Sequence, residues 1–195
     1  MKKKAHFYRE LGEDWFNFQA LYAAMVAMAS DGAHFVEVGS WKGRSAAFMA
    51  VEILNSGKKI RFDCVDIWRK CGDYTELNQL LGKGEDWLYK EFLKNIRPVR
   101  DVIRPVRMAS AGAAGLYRDK QLDFVFIDAA HNYKNVLRDI KCWYPKVKEN
   151  GVIAGHDYGV KPGVKRAVDQ FFRGENVTVS GICWLVVKKK KPQAA

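Results

Sequence analysis

The stretch HFVEVGSWKGRS, residues 34–45, decides the fold of this chain. Its first half predicts a short buried strand, and Gly39 and Gly43 predict a tight turn into a helix. The turn lacks the GxGxxG pattern of dinucleotide sites, because Trp41 occupies the position at which a pyrophosphate must approach the backbone. An acid, Glu37, precedes the turn. The pattern therefore favours a ligand that has a cationic amino-acid end and no phosphate.

Strand and helix patterns alternate along the rest of the chain. Further strands are predicted over residues 60–67, 101–106, 122–127 and 151–154, with a closing pair over 176–180 and 182–187. This alternation is typical of an α/β fold with a Rossmann-like, doubly wound, mostly parallel sheet that is covered on both faces. The closing pair is joined tightly at Gly181, so one of its strands must run antiparallel to its neighbours.

Two helical segments have clear signals in the sequence. An amphipathic helix is predicted over about residues 12–30, from apolar side chains at helical spacing: Trp15, Phe18, Tyr22, Met25 and Ala29. A later helix follows the fourth strand, with Asn132 as its N-cap and Pro145 shortening or kinking its end.

At 195 residues the chain suits a single domain, with a helical segment over 1–32, a core over 33–187 and a basic tail over 188–195. The formal net charge is +11, but much of it lies in lysine clusters at the two ends, which predicts solvated tails with weak attraction for polyanions. The sequence shows no signal peptide and no apolar run that could span a membrane. We expect a soluble cytoplasmic protein whose cysteines are buried free thiols.

Polar side chains follow the predicted strands at their carboxyl ends, which is where a doubly wound sheet binds ligands. The segments after the second to fifth strands are Asp66-Ile67-Trp68, Met108-Ala109-Ser110, Asp128-Ala129-Ala130-His131 and His156-Asp157-Tyr158. An acid at the position of Asp66 can accept hydrogen bonds from two ribose hydroxyls. These segments together predict one ligand site.

The same segments, in this order and spacing, resemble the class I S-adenosylmethionine-dependent methyltransferases. The similarity is greatest to small bacterial sugar and natural-product O-methyltransferases related to the catechol type, and it covers roughly residues 33–187. It implies a seven-stranded sheet whose last strand runs antiparallel. It also implies a set of cofactor-binding residues: Glu37, Gly39 and Ser40 at the methionine part, Asp66 at the ribose, Trp68 and Ser110 beside the adenine, and Gly43, Ser45 and Asp128 completing the site. For Trp68, core packing is the alternative role.

The resemblance leaves two chemistries open. Catechol-type relatives hold a divalent ion at positions that match Asp128, His156 and Asp157 here. Magnesium prefers oxygen ligands, so His156 would shift the preference towards manganese, iron or zinc. The alternative is a metal-free reaction in which His131 or His156 is the general base, and this is the version that we favour from the sequence. Asp128 and Asp157 could also simply cap helices.

The leading expectation is O-methylation of a small molecule or a sugar hydroxyl. RNA or protein methylation is the alternative enzyme activity, suggested by the basic ends and by the segment that contains Trp68, Arg69, Lys70 and Tyr74. A non-catalytic binding module is a third interpretation, against which the two acids Asp128 and Asp157 argue. We expect the acceptor pocket to be built by the N-terminal helix, residues 68–86 and the segment after Tyr158. A homo-oligomer whose partner subunit completes the pocket is left open.

Overall fold

The computed structural model describes residues 3–69, 84 and 86–190, and its centre is one seven-stranded sheet. In chain order the strands are β1 His34–Val38, β2 Arg61–Asp66, β3 Ile103–Arg107, β4 Leu122–Ile127, β5 Val147–Gly155, β6 Thr178–Ser180 and β7 Cys183–Val187. The described helices are α1 Gln19–Met28, α2 Arg44–Ser56, α3 Trp87–Asn95, α4 Ser110–Ala114, α5 Tyr133–Trp143 and α6 Pro162–Phe171. Short 3-10 turns lie at Tyr8–Glu10, Arg97–Val99 and Tyr144–Lys146.

The sheet order is β3-β2-β1-β4-β5-β7-β6. The first five strands pair in parallel, and β7 runs antiparallel between β5 and β6. The predicted fold class is therefore confirmed, including the single reversed strand. Strand β1 is buried along its whole length because helices cover both faces of the sheet.

Two apolar clusters fill the space between the sheet and its helices. One lies beneath α1, α2 and α3 and contains Tyr22, Phe62 and Phe126. The other lies beneath α4, α5 and α6 and contains Val38 and Trp143. The strand ends therefore stand on a support that is packed from both sides, and this rigidity is what a preorganised site requires.

The helix signals at Asn132 and Pro145 are confirmed. The Asn132 side chain accepts a hydrogen bond from the backbone N–H of Asn135 at the start of α5. The helix ends at Trp143, and the chain continues as the 3-10 turn that contains Pro145. Proline removes a backbone donor and cannot continue a regular helix.

The N-terminal helix is shorter than the predicted span of residues 12–30. It covers only Gln19–Met28, and the chain from residue 12 to 18 is irregular, starting with Gly12 at a φ of +63°. Phe16 and Phe18 are buried although they lie outside the helix, whereas Trp15 is about half exposed at 52%. Aromatic packing onto the rest of the molecule has overridden helical periodicity here. The apolar spacing before residue 19 therefore marks buried residues of an irregular segment and not a turn of helix.

Two predicted boundaries, the start of the fifth strand and the start of the basic tail, also differ from the structure. Strand β5 begins at Val147, earlier than the predicted residue 151, because Val147 pairs with Leu122 across an irregularity in the ladder. Lys188 does not begin a free tail: its backbone pairs with residues 150 and 151, and its Nζ donates to the carbonyl of Tyr144 at 2.9 Å. In the described part of the chain, no helix is both long and apolar enough to cross a membrane.

Candidate active site

The turn after β1 requires glycine at Gly39 because another strand end approaches it closely. Gly39 has a φ of +94°, and a Cβ built on it would lie 2.0 Å from the backbone oxygen of Asp128. Gly43 also has a left-handed φ, of +85°, and a Cβ there would lie 2.9 Å from Cγ2 of Ile96. The first glycine lets β1 and β4 meet, and the second lets α2 start against α3. Gly43 therefore shapes the turn from outside the cavity.

A cavity of about 320 Å³ opens at the carboxyl ends of the strands. The order of its lining follows the order of the sheet: Asp128 after β4, Gly39 and Ser40 after β1, Asp66 after β2 and Ser110 after β3. Ser45 and His131 also line it. The structure thus brings together most of the residues that the sequence predicted to bind one ligand.

Glu37 lies beneath the cavity and is almost completely buried. The Tyr22 hydroxyl donates a hydrogen bond to its Oε2 at 2.7 Å, whereas Oε1 has no hydrogen-bond partner. The Ser40 hydroxyl is also buried without a hydrogen bond of good geometry, but it lies close enough, together with the Ser45 hydroxyl, to act on the Glu37 carboxyl. Burial raises the pKa of Glu37 to about 7. A cationic amino group would satisfy the orphaned oxygen and favour the ionised carboxylate, so this site fits the amino-acid end of a ligand.

Asp66 is held rigidly at the end of β2. Its Oδ2 accepts the backbone N–H of Trp41 at 2.9 Å, and its Oδ1 accepts the backbone N–H of Trp68 at 2.7 Å. Each carboxylate oxygen can accept a second hydrogen bond. Because Asp66 also lines the cavity, its geometry suits two neighbouring hydroxyls, as expected for a ribose.

Trp68 does not lie beside the cavity, contrary to its expected place at an adenine. Its side chain is fully buried and packs on Phe92 with ring centroids 4.4 Å apart. Its indole N–H donates to the backbone oxygen of Trp41 at 2.8 Å. Core packing, the alternative role for this residue, is what the structure shows. Ser110, the other expected neighbour of an adenine, does line the cavity.

An acid and imidazole cluster stands at the β4 and β5 end of the cavity. Nε2 of His131 lies 2.9 Å from Oδ2 of Asp157 and 4.0 Å from Oδ1 of Asp128. Hydrogen bonding, first to Asp128 and second to Asp157, raises the pKa of His131 to about 9. Asp157 adopts a left-handed φ of +64°, an uncommon conformation of the kind that concentrates at functional sites.

The cluster can hold a divalent ion, but with a different imidazole from the one expected. One ligand atom from each of Asp128, His131 and Asp157 lies within 4.8 Å of the other two. His156 is not part of this group. Its Nδ1 lies 3.7 Å from Oδ2 of Asp128, and its Nε2 makes a 2.9 Å hydrogen bond to Oδ1 of Asn17. The candidate metal group therefore contains His131, and the buried His156 lies beside the same two acids, with its Nδ1 also 3.6 Å from Oδ1 of Asp157.

Sequence reasoning missed two residues near the site. Asn17 holds the ring of His156, and nothing in the sequence connects two residues so far apart. Asp139 lines the cavity and is buried, at 2% exposure. Its signal was present in the sequence, because it lies three residues after Val136 and four before Trp143, on the apolar stripe of α5.

Comparison with known proteins agrees with this geometry. The family described as "Methyltransferase domain" matches residues 36–158, which is more than half of the chain, so the protein belongs to that family. The expected class I methyltransferase identity is thus confirmed. No curated protein sequence matches the chain.

Solved structures share the fold at low sequence identity. The O-methyltransferase NovP is 18% identical with a TM-score of 0.69, over 88% of this chain and 79% of that one. Fibrillarin from Aeropyrum pernix, with natively bound S-adenosyl-L-methionine, is 13% identical with a TM-score of 0.56, over 87% and 74%. The MycE methyltransferase, in complex with Mg, S-adenosylhomocysteine and mycinamycin VI, is 12% identical with a TM-score of 0.61, over 94% of this chain and 52% of that one.

Proposed function

We propose that this protein transfers a methyl group from S-adenosylmethionine to a hydroxyl of a small molecule. The observation that carries the proposal is the order of the cavity lining. Gly39 and Ser40 (which follow the buried carboxylate of Glu37), the doubly anchored carboxylate of Asp66 and the hydroxyl of Ser110 line the cavity in this order along the sheet edge. They match, in this order, the amino acid, the ribose and the base of the donor. The acid and imidazole cluster lies at the end of the cavity away from the base.

The protein's main contribution is alignment. The donor carries an already activated methyl group on sulfur, so the fold has to hold the acceptor hydroxyl in line with it and to take up a proton. Asp128 lies after β4, next to the Gly39 turn that would hold the methionine part. An acceptor oxygen placed at Asp128 and His131 would therefore face the reactive end of the donor rather than its base.

We propose that the cluster works with a divalent ion held by Asp128, His131 and Asp157. Two carboxylates and one imidazole fit manganese, iron or zinc better than magnesium. A divalent ion of some kind is supported by the MycE structure, which contains Mg together with S-adenosylhomocysteine. Such an ion would act as a Lewis acid on the acceptor oxygen. The two carboxylates that raise the pKa of His131 to about 9 would hold a divalent ion in place of that proton. A metal-free general base at His131, which the sequence favoured, is the alternative mechanism for the same cluster.

The acceptor side of the cavity supports a small and partly aromatic substrate. Trp15, Phe16 and Phe18 line it, and the ring of Trp15 lies 5.9 Å from that of Trp41. The RNA alternative loses support because Trp68 is buried rather than exposed for stacking. Lys70 and Tyr74 of that segment lie outside the described residues.

The direct test uses donor with an isotopically labelled methyl group and a panel of phenols, sugars and aliphatic alcohols. We expect labelled methyl on an oxygen of at least one acceptor, with S-adenosylhomocysteine formed in equal amount, as read by mass spectrometry. Asp128→Asn serves as the inactive control and should retain donor binding. Methyl transfer to nitrogen, to RNA or to protein, with no oxygen product, would contradict the proposal.

A further inference from the structure

Helix α5 contains a buried acid, Asp139, that the proposed reaction does not use. Asp139 is 2% exposed, and its Oδ1 has no hydrogen-bond partner. An unpaired buried oxygen of this kind has lost its hydration without a compensating hydrogen bond, so its presence needs an explanation. Because Asp139 also lines the cavity, its carboxyl is within reach of a bound ligand that carries a hydrogen-bond donor.

The sheet order shows which part of a ligand reaches Asp139. The helix α5 packs against α4, and α4 begins at Ser110, directly after β3. Ser110 and Asp139 therefore lie at the β3 end of the cavity, beyond Asp66 on β2 and farthest from Asp128 on β4. If the ribose binds Asp66, the base is the part of the donor that reaches this end.

The surroundings of Asp139 determine which of its two oxygens a ligand can reach. Ser110 Oγ accepts the indole N–H of Trp143 at 2.9 Å, which leaves the serine hydroxyl hydrogen for the Asp139 carboxyl. Burial raises the pKa of Asp139, and the nearby Ser110 hydroxyl acts in the opposite direction. Oδ1 is the oxygen of this carboxyl that is enclosed by protein, so the other carboxyl oxygen is the one that a ligand in the cavity can reach.

We propose that Asp139 is a specificity-determining residue that accepts a hydrogen bond from the exocyclic amine of the donor's adenine. The amine is the only group on the edge of that ring that donates N–H hydrogen bonds. A purine with a carbonyl oxygen in its place would bring an acceptor against an acceptor. The site thus selects an amino-purine through α5, and this inference rests on the proposed donor.

The test compares two ligands by titration calorimetry: S-adenosylhomocysteine and S-inosylhomocysteine, which carries a carbonyl oxygen in place of the amine. We expect the wild type to prefer the adenine compound by about 100-fold, because the analogue leaves a buried polar group unpaired. Asp139→Asn should reduce this ratio to about tenfold or less. Its NH₂ would replace the carboxyl oxygen that faces the ligand and would no longer accept the amine's hydrogen bond. S-tubercidinylhomocysteine, which keeps the amine and changes only position 7, should bind like the adenine compound.

The control variant is Asp101→Asn. The Asp101 side chain is 95% exposed, and it precedes the amino end of β3, whereas the cavity lies at the carboxyl ends of the strands. It should leave both affinities and their ratio unchanged. A purely structural role for Asp139 would weaken both ligands equally and keep the ratio, which would overturn the inference. If Asp139→Asn does not fold, the wild type decides alone, since equal affinity for the two ligands contradicts the inference. A wild type that binds neither ligand would contradict the proposed donor, and the inference would fall with it.

Discussion

The two sides of the cavity are built in different ways. On the donor side, Ser40, Asp66 and Ser110 stand at or just after the ends of strands, and β1 and β4 meet at a glycine that admits no side chain. On the acceptor side, the wall is the irregular chain before α1, which we call the strap (residues 12–18). Two ion pairs hold it to the Gly39 turn, Glu13 with Lys42 and Asp14 with Arg44. The difference teaches that topology fixes one half of the site, whereas side-chain contacts fix the other.

The largest expected effect is on turnover, at the cluster between the two sides. His131→Ala should reduce turnover by about 100- to 10,000-fold, because it removes either a metal ligand or a proton acceptor. The affinity for S-adenosylhomocysteine should change little. Steady-state kinetics and calorimetry together check this prediction, with His6→Ala as the control, since His6 pairs with Glu52 at the surface. Full activity in His131→Ala would show that another group activates the acceptor.

The donor side should be intolerant of any added atom at Gly39. Gly39→Ala forces a Cβ against a backbone oxygen and strains a positive φ, so we expect it to lower the free energy of unfolding by about 3 kcal/mol or more. Gly57→Ala is the matched control: its φ is +71°, but no atom lies within 4 Å of the added Cβ. It should cost about 1 kcal/mol. Equal losses in urea unfolding would mean that the close approach is not what requires glycine.

The buried carboxylate of Glu37 should make donor binding depend on pH. Its pKa is about 7, so it is mostly protonated at pH 6, and a bound amino cation favours the ionised form. The affinity for S-adenosylhomocysteine should therefore fall as the pH is lowered below 7, by up to about tenfold per pH unit. Calorimetry from pH 5.5 to about 8 checks this, and Glu37→Gln should bind weakly with little dependence on pH. An identical pH profile for both proteins would contradict this role.

The strap should respond least, because its ion pairs are partly exposed. Glu13→Gln removes the carboxylate that pairs with Lys42 and accepts the indole N–H of Trp41. Such pairs contribute about 0.2–1 kcal/mol, so we expect the acceptor KM to rise about two- to fivefold with donor affinity nearly unchanged. Glu149→Gln breaks a comparable pair with Lys120 at 2.7 Å, away from the cavity, and should leave KM unchanged. A loss of donor affinity in Glu13→Gln alone would place the strap on the donor side.

The contrast also explains what the sequence could predict. Glu37, Asp66 and Ser110 were identifiable because strand ends of a doubly wound sheet meet at one edge, whatever the details of packing. Trp68 follows Asp66 by only two residues, but its side chain is buried in the core instead of lining the cavity. Its backbone has an uncommon φ of +42°, which the sequence pattern does not predict. The choice of His131 over His156 in the metal group depends on side-chain directions, and the strap depends on long-range aromatic packing. Sequence periodicity contains neither kind of information.

The most direct test of the account is a pair of calorimetric titrations with S-adenosylhomocysteine on Asp66→Ala and Asp128→Asn. The first variant removes both oxygens that should receive the ribose, and the second alters only the cluster. We predict that Asp66→Ala loses about 1–3 kcal/mol of binding free energy through its lost charge-assisted hydrogen bonds, while Asp128→Asn binds like the wild type and has lost turnover. Unchanged binding in Asp66→Ala, with binding lost in Asp128→Asn, would contradict the assignment of the ribose to Asp66 and of catalysis to the cluster.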